Sequence, residues 1–373
     1  MTPALVRSIP FFDYTHAFRQ EEVQIMAILR DTARRGGFIL QAELEKFESN
    51  LARYLGVSDV AGVGNATDGL TLALRACGIG PGAEVIFCSH TMCATAAAIH
   101  FAGATPIPVE CGPDHLIAPE CIEESITRRT RAILPTQLNG RVAEMDVIRA
   151  IAQRHGLLII EDAAQAVGAR FRGEAAGALG TAGVFSFYPS KILASLGDAG
   201  AVVSTDPFVA RSIRLLRDHG RDEKGDIVAW GMNSRLDNLQ AAILDYRLNS
   251  LDAAIAHRRA LASVYQERLS WLDELTLPPG PDDDPDHFDV YQNYEIEADH
   301  RDRLESHLKA HGIGTLRPWG GRAVHQWPKL GLKAQLPRTE ALFERVLLLP
   351  MNTSLTEDSV HSVCDRIESF YRG

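Results

Sequence analysis

Seven short apolar runs recur along the first half of the chain, at residues 60–64, 84–89, 105–109, 131–136, 157–161, 183–187 and 201–204. Their length, and the polar or glycine-containing residues that bound them, predict buried strands. Helical patterns lie between several of them. Met145, Ile148, Ile151 and Ala152 fall at i, i+3, i+6 and i+7 and form one apolar stripe. Such alternation predicts an α/β domain whose mainly parallel sheet is covered on both faces. Farther on, residues 277–289 (LPPGPDDDPDHFD) read as an exposed loop or linker. A strand at 291–296 and a helix at 300–311 follow it. The terminal helix carries Val360, Val363, Ile367 and Phe370 on one face. The pattern predicts a large domain over residues 1–245 and a smaller α+β domain over 246–373, the latter starting within a long helix after Arg235.

Composition narrows the function. The 373 residues are 46% hydrophobic and 23% charged, an ordinary globular balance, and are long enough for two domains. With 38 Lys+Arg against 48 Asp+Glu, the net charge of −10 speaks against a nucleic-acid partner. The six cysteines show neither a CxxC pair nor zinc-like spacing, so free thiols in a reducing compartment and no metal are expected. The opening MTPALVRSIPFFDYTH lacks the apolar stretch of a secretory signal, and no run approaches the ~20 residues of a membrane helix. A cytoplasmic protein with no membrane partner is the expectation.

In open α/β sheets ligands bind beyond the carboxyl ends of the strands, which directs attention to polar residues that follow apolar runs. Gly62-Val63-Gly64-Asn65-Ala66-Thr67-Asp68 leads into a helix whose free N–H groups, with the Thr67 hydroxyl, suit a phosphate; alternatively Thr67 or Asp68 is a plain cap. The segment also misses the GxGxxG dinucleotide fingerprint by one glycine. The run 157–161 ends in Glu161-Asp162, where Asp162 is either a helix cap or the partner of a protonated pyridine nitrogen. In Phe185-Ser186-Phe187-Tyr188-Pro189-Ser190-Lys191, apolar neighbours would desolvate Lys191 and make it a nucleophilic amine. Ser186, Lys191 and Asp162 together meet the protein-side needs of pyridoxal phosphate. Trp230–Leu236 reads as a helix-capping segment with Asn233 or Ser234 as cap.

These segments identify a resemblance. Ile9-Pro10-Phe11, Phe38-Ile39-Leu40, Gly78-Ile79-Gly80-Pro81-Gly82, Glu161-Asp162-Ala163-Ala164-Gln165-Ala166, Ser186 through Lys191, Asn233-Ser234-Arg235-Leu236-Asp237 and Leu349-Pro350-Met351 are similar to the DegT/DnrJ/EryC1/StrS sugar aminotransferases of fold type I. The resemblance implies that Lys191 carries the cofactor as a Schiff base and shuttles a proton, and that Asp162 holds the pyridine nitrogen. It places Gln165 at the phenolic oxygen, and Ala66, Thr67 and Ser186 at the phosphate. Asn233 would reach the cofactor of a neighbouring subunit, so a homodimer with active sites at its interface is implied. Met92 stands where the family often stacks an aromatic residue. Leu316-Arg317-Pro318-Trp319-Gly320-Gly321 replaces a common His-Tyr-Pro segment, which leaves Tyr188, Trp319 and His325 as candidate sugar contacts.

The implied reaction moves an amino group from L-glutamate, through pyridoxamine phosphate, to a nucleotide-linked (dTDP) 3- or 4-keto-6-deoxyhexose. Rival readings are a nicotinamide-dependent sugar oxidoreductase, a pyridoxamine-dependent dehydratase, against which Lys191 argues, and a non-enzymatic nucleotide-sugar binder.

Overall fold

A computed structural model describes residues 8–373; residues 1–7, the start of the segment read for a secretory signal, lie outside the described part. In chain order the first strands are β1 (Asp59–Val63), β2 (Glu84–Cys88), β3 (Thr105–Val109), β4 (Thr130–Leu134), β5 (Leu158–Asp162), β6 (Arg170–Phe171), β7 (Glu174–Ala175), β8 (Ala182–Ser186) and β9 (Gly200–Ser204). A seven-stranded sheet of order β1-β9-β8-β5-β4-β2-β3 forms the centre. Its strands are the seven predicted runs, with ends displaced by a residue or two.

Strands β3, β2, β4, β5 and β8 run parallel, while β9 is antiparallel to both β8 and β1. The exception has a local cause. Residues 187–199 contain no crossover helix, so the chain leaving β8 turns back at the same end of the sheet. That return loop carries Lys191.

Both faces of the sheet are buried, as the apolar runs require, except at the edge strand β3, where only Val109 is fully buried. On one face Ile86, Ile133 and Val203 meet Phe47, Leu51, Met145 and Ile148; on the other Val85, Phe87, Leu134 and Val202 meet Leu70, Leu74, Ile99 and Ile213. The predicted stripe Met145, Ile148, Ile151 and Ala152 is the buried face of the helix Met145–His155.

The long helix expected after Arg235 is two helices, Asn238–Leu248 and Leu251–Leu269. Asn249 Nδ2 donates to the Asp245 and Tyr246 carbonyls, and Ser250 Oγ donates to that of Arg247. These short polar side chains compete with the helical ladder and end it. Strands β10 (Leu275–Thr276), β12 (Tyr294–Ala298) and β13 (Val346–Leu349) make a second sheet, and β11 (His287–Phe288) pairs with β6. Tyr265 and Leu269 of the second helix pack with Val360, Val363 and Ile367 of the terminal helix Glu357–Arg372 in a third core, which Ile9 joins.

Residues 277–289 depart from a free linker. Arg141 bonds the carboxylates of Asp284 and Asp289, both at 2.6 Å, and His287 is buried. Charge pairing staples an irregular, proline-rich path to the central domain. No described helix is long and apolar enough to cross a membrane.

Candidate active site

Residues 64–67, 89–92, 135–139, 162–165 and 186–191 follow β1, β2, β4, β5 and β8, so they gather at the carboxyl edge of the sheet. Asp162 closes β5, and no helix begins there, which removes its reading as a cap. Its buried carboxylate accepts from Thr95 Oγ1 at 2.7 Å and from the Ala164 N–H at 3.2 Å. Thr95 continues a chain of hydroxyls, 2.9 Å to Thr91 and then 3.0 Å to Thr136. Burial pushes the Asp162 carboxyl up, opposed by these donors and by the charge of Lys191. The neighbouring Glu161 is the carboxylate that several N–H groups receive: Gly177, Leu179 and Gly180 donate to it, with Gln137 Nε2.

Burial pushes the Lys191 amine down to about 8, against the pull of the Asp162 charge. The ammonium loses hydration that no nearby counter-ion fully replaces. Lys191 Nζ has no hydrogen-bond partner among the described residues. Its loop is held from outside: Gln292 Oε1 accepts from the Ile192 N–H at 2.9 Å, and Gln292 Nε2 donates to the Ser190 carbonyl at 2.8 Å.

Asn65, rather than Thr67 or Asp68, caps the helix Ala66–Ala76, accepting from the Asp68 N–H at 2.9 Å. The N–H groups of Ala66 and Thr67 then have no partner among the described residues, as expected for a first turn. Gly200 pairs with Val63 on one side and with Ser186 on the other. A Cβ at Gly200 would stand 2.8 Å from the Asn65 carbonyl carbon and 2.9 Å from the Phe185 oxygen. Only glycine lets the helix end and the Ser186 hydroxyl approach one another across this strand. Gly62, in contrast, serves packing, since a Cβ there would meet Leu44 at 2.7 Å and Leu236 at 2.9 Å. The near-miss dinucleotide fingerprint thus has a structural cause.

Gln165 Oε1 accepts from the Asn139 N–H at 2.8 Å and from Asn293 Nδ2 at 3.4 Å, which leaves its amide nitrogen free to donate. Met92 precedes the helix Cys93–Phe101; it is half exposed, and its sulfur accepts from the Ala94 N–H at 3.1 Å. Tyr188 is similarly half exposed.

Other expected residues stand apart from this group. Asp237 stands at the N-cap position of the helix after Arg235, without a side-chain hydrogen bond to it, so neither Asn233 nor Ser234 is its cap. Ser234 is buried and accepts from the Gly64 N–H at 3.0 Å, while Asn233 is exposed. His325 is buried with both ring nitrogens engaged, Nδ1 with Ser89 Oγ at 2.7 Å and Nε2 with Glu340 at 3.1 Å. Trp319 takes a left-handed φ of 54° and packs on the central core.

Sequence reasoning missed Thr95, Asn293 and Gln292, and it read Ser234 as a helix cap where the hydroxyl instead receives the Gly64 N–H. The Thr91/Thr95 spacing of four residues could have signalled the first. Nothing local announces Gln292, which acts on a loop about a hundred positions away.

The profile of the DegT/DnrJ/EryC1/StrS aminotransferase family matches residues 19–368. The chain is 42% identical to the dTDP-3-amino-3,4,6-trideoxy-alpha-D-glucose transaminase of Streptomyces venezuelae, over 97% of this chain and 96% of that protein. It is 38% identical to a UDP-N-acetyl-3-dehydro-alpha-D-glucosamine 3-aminotransferase of Acidithiobacillus ferrooxidans, over 98% and 99%. Its fold superposes on S. venezuelae DesV in complex with a ketimine intermediate with a TM-score of 0.94, at 41% identity over 98% of this chain and 99% of that one. With matches of that extent, the chain belongs to the DegT/DnrJ/EryC1/StrS aminotransferase family and is an aminotransferase.

Proposed function

We propose that this aminotransferase uses pyridoxal phosphate to move the amino group of L-glutamate to a nucleotide-linked 3-keto-6-deoxyhexose, dTDP being the preferred carrier. The observation that carries the reading is a desolvated, unpartnered lysine amine at the same sheet edge as a buried carboxylate and an open helix end. Those features fit the cofactor's aldehyde, ring nitrogen and phosphate. A relative from Bacillus subtilis, 29% identical with a TM-score of 0.87, was solved with bound PMP. The names of the S. venezuelae and A. ferrooxidans relatives both place the amino group at C3.

Bound pyridoxal phosphate supplies a carbonyl that condenses with amines and a protonated ring that draws electrons from the adjoining carbon. Lys191 would hold that carbonyl through Nζ and, when free, would serve as the base for the proton on the amino donor's Cα. An amine lowered to about 8 is still mostly protonated at neutral pH, but it gives up its proton far more readily than an ordinary lysine, as a base in this role must. Asp162 accepts the ring N–H, with its carboxylate aimed by Thr95 and the Ala164 N–H. Ala66 and Thr67 N–H groups and the Ser186 hydroxyl bind the phosphate, aided by the positive helix end. Gln165 Nε2 donates to the phenolic oxygen, and Met92 packs a polarisable thioether against the ring. Over both half-reactions, glutamate and the keto sugar become 2-oxoglutarate and the amino sugar, with no net oxidation.

The assembly that completes this site is a homodimer. Trp230 is 90% exposed, and Ile227 and Val228 beside it are exposed as well, an apolar patch that a monomer in water would not favour. Asn233, exposed a few residues on, is positioned to serve a second copy's phosphate. Tyr188, half exposed three residues before Lys191, is the preferred sugar contact; Trp319, packed on the central core, and His325, bonded to Ser89, would act only from outside that group.

Supplying nitrogen-15 glutamate and a dTDP-linked 3-keto-6-deoxyhexose tests the reading. The label is expected at C3 of the sugar. Consumption of NAD(P)H without glutamate would instead establish the oxidoreductase alternative.

A further inference from the structure

The return loop that carries Lys191 is gripped by a residue of the C-terminal part of the chain. Gln292 spends both halves of its amide on that loop, the oxygen accepting from the Ile192 N–H at 2.9 Å and the nitrogen donating to the Ser190 carbonyl at 2.8 Å. These are the peptide groups on either side of Lys191. The grip is itself anchored. Arg258, buried and without a carboxylate partner among the described residues, donates through Nη1 to the carbonyls of Tyr291 at 3.0 Å, Gln292 at 3.1 Å and Met351 at 2.9 Å. Tyr291 holds a left-handed φ of 49°, and its ring lies in the third core. On the other side, Asn293 reaches Asn139 Oδ1 at 2.8 Å and Gln165 at 3.4 Å. A buried arginine bound only to carbonyls is costly to keep and indicates that this backbone path must be fixed.

We propose that Gln292 is a positioning residue for Lys191, setting the amine against the cofactor's carbonyl from the C-terminal side of the molecule. The proposal rests on the pyridoxal phosphate reading above. It assigns to Gln292 no contact with the cofactor. Its effect therefore falls on the bond to Lys191 and leaves binding of the ring and phosphate as before.

That separation gives the test. Pyridoxamine phosphate has the same ring and phosphate but cannot bond to a lysine, so the ratio of the two affinities isolates the contribution of Lys191. Equilibrium titration of the cofactor-free full chain with each compound is the measurement, on wild type, Gln292→Met, Gln292→Glu and Lys191→Ala. Gln292→Met removes both hydrogen bonds at nearly constant volume. Gln292→Glu keeps the acceptor for Ile192 but sets an oxygen against the Ser190 carbonyl, so it breaks one of the two bonds and stands in if the methionine variant does not fold. Both are expected to weaken the pyridoxal form about tenfold, near the value of one or two neutral hydrogen bonds, with the pyridoxamine form within about twofold of wild type. Lys191→Ala marks the limit of that selective loss. An equal loss for both compounds, or none, would overturn the proposal and leave the cofactor reading standing. Failure of wild type to bind either compound would overturn both.

Discussion

Two regions of the molecule stand in contrast. At the carboxyl edge of the sheet, Asp162, Lys191, Ser186 and the helix end at Ala66 are brought together within one chain, each on or beside a rigid strand. Around Trp230 and Asn233, a run of exposed apolar residues is covered by none of the described residues of the chain. The first region holds groups whose charge states are set by burial and a few named hydrogen bonds. The second would acquire its proposed role only when a further copy covers it. On the proposed reading, chemistry is prepared within the subunit and completion of the site is left to a second copy.

The sharpest way to break the contrast is at its internal side. Lys191→Ala should lower the rate of amino transfer by at least about 10³-fold, since it removes the group proposed to hold the cofactor and to move the proton. Turnover with the keto sugar under saturating cofactor checks this. At the open side, Trp230→Asp should shift the protein toward the mass of one 40.9 kDa chain in sedimentation and reduce transfer about 10-fold or more, through loss of the shared site. The helices and sheet should keep their circular dichroism. If the variant stays dimeric and active, the patch is not the interface.

Thr95→Val is a smaller perturbation of the internal region. It keeps the volume and removes the hydroxyl that donates to Asp162, whose carboxyl burial already pushes up. With one donor fewer, Asp162 protonates more readily and pairs less well with a ring N–H. A drop of roughly tenfold in turnover is expected, at the scale of a hydrogen bond to a charged group, while Thr95→Ser should restore most of it. A valine variant with wild-type turnover across the pH range would remove Thr95 from the account.

The smallest effect concerns stability. Lys191 is depressed from 10.5 to about 8, so between these values the unfolded chain binds more protons and stability rises with pH. Below pH 8 the cofactor-free protein bears the full penalty of a buried ammonium. Lys191→Met should therefore raise the melting temperature at pH 7, and the gain should shrink as pH climbs from about 8 toward 10.5. Differential scanning fluorimetry of both proteins across that range checks the sign.

The same contrast governs what could be read from residues alone. Strands buried on both faces announce themselves as apolar runs, so all seven central strands were legible, and with them the polar residues at their ends. Asp162 and Lys191 follow from that placement. Asn65 was overlooked as the helix cap because Thr67 and Asp68, equally able to cap, follow it directly. The break at Asn249 and Ser250 was hidden by helical spacing on both sides. Gln292, Asn293 and Ser234 act through contacts between segments far apart in the chain, and no local pattern encodes such a partner. The stapled loop at 277–289 teaches the same lesson, for its carboxylates look solvated until Arg141 is placed beside them.

The account's central claim is that Lys191 holds pyridoxal phosphate and that glutamate displaces it. The most direct test is the visible absorbance of the cofactor-loaded protein before and after L-glutamate, for wild type and Lys191→Ala. A lysine-dependent band that glutamate removes, with one equivalent of 2-oxoglutarate released per site, is the predicted result. A band that persists unchanged in Lys191→Ala, or one that glutamate leaves untouched in wild type, would contradict it.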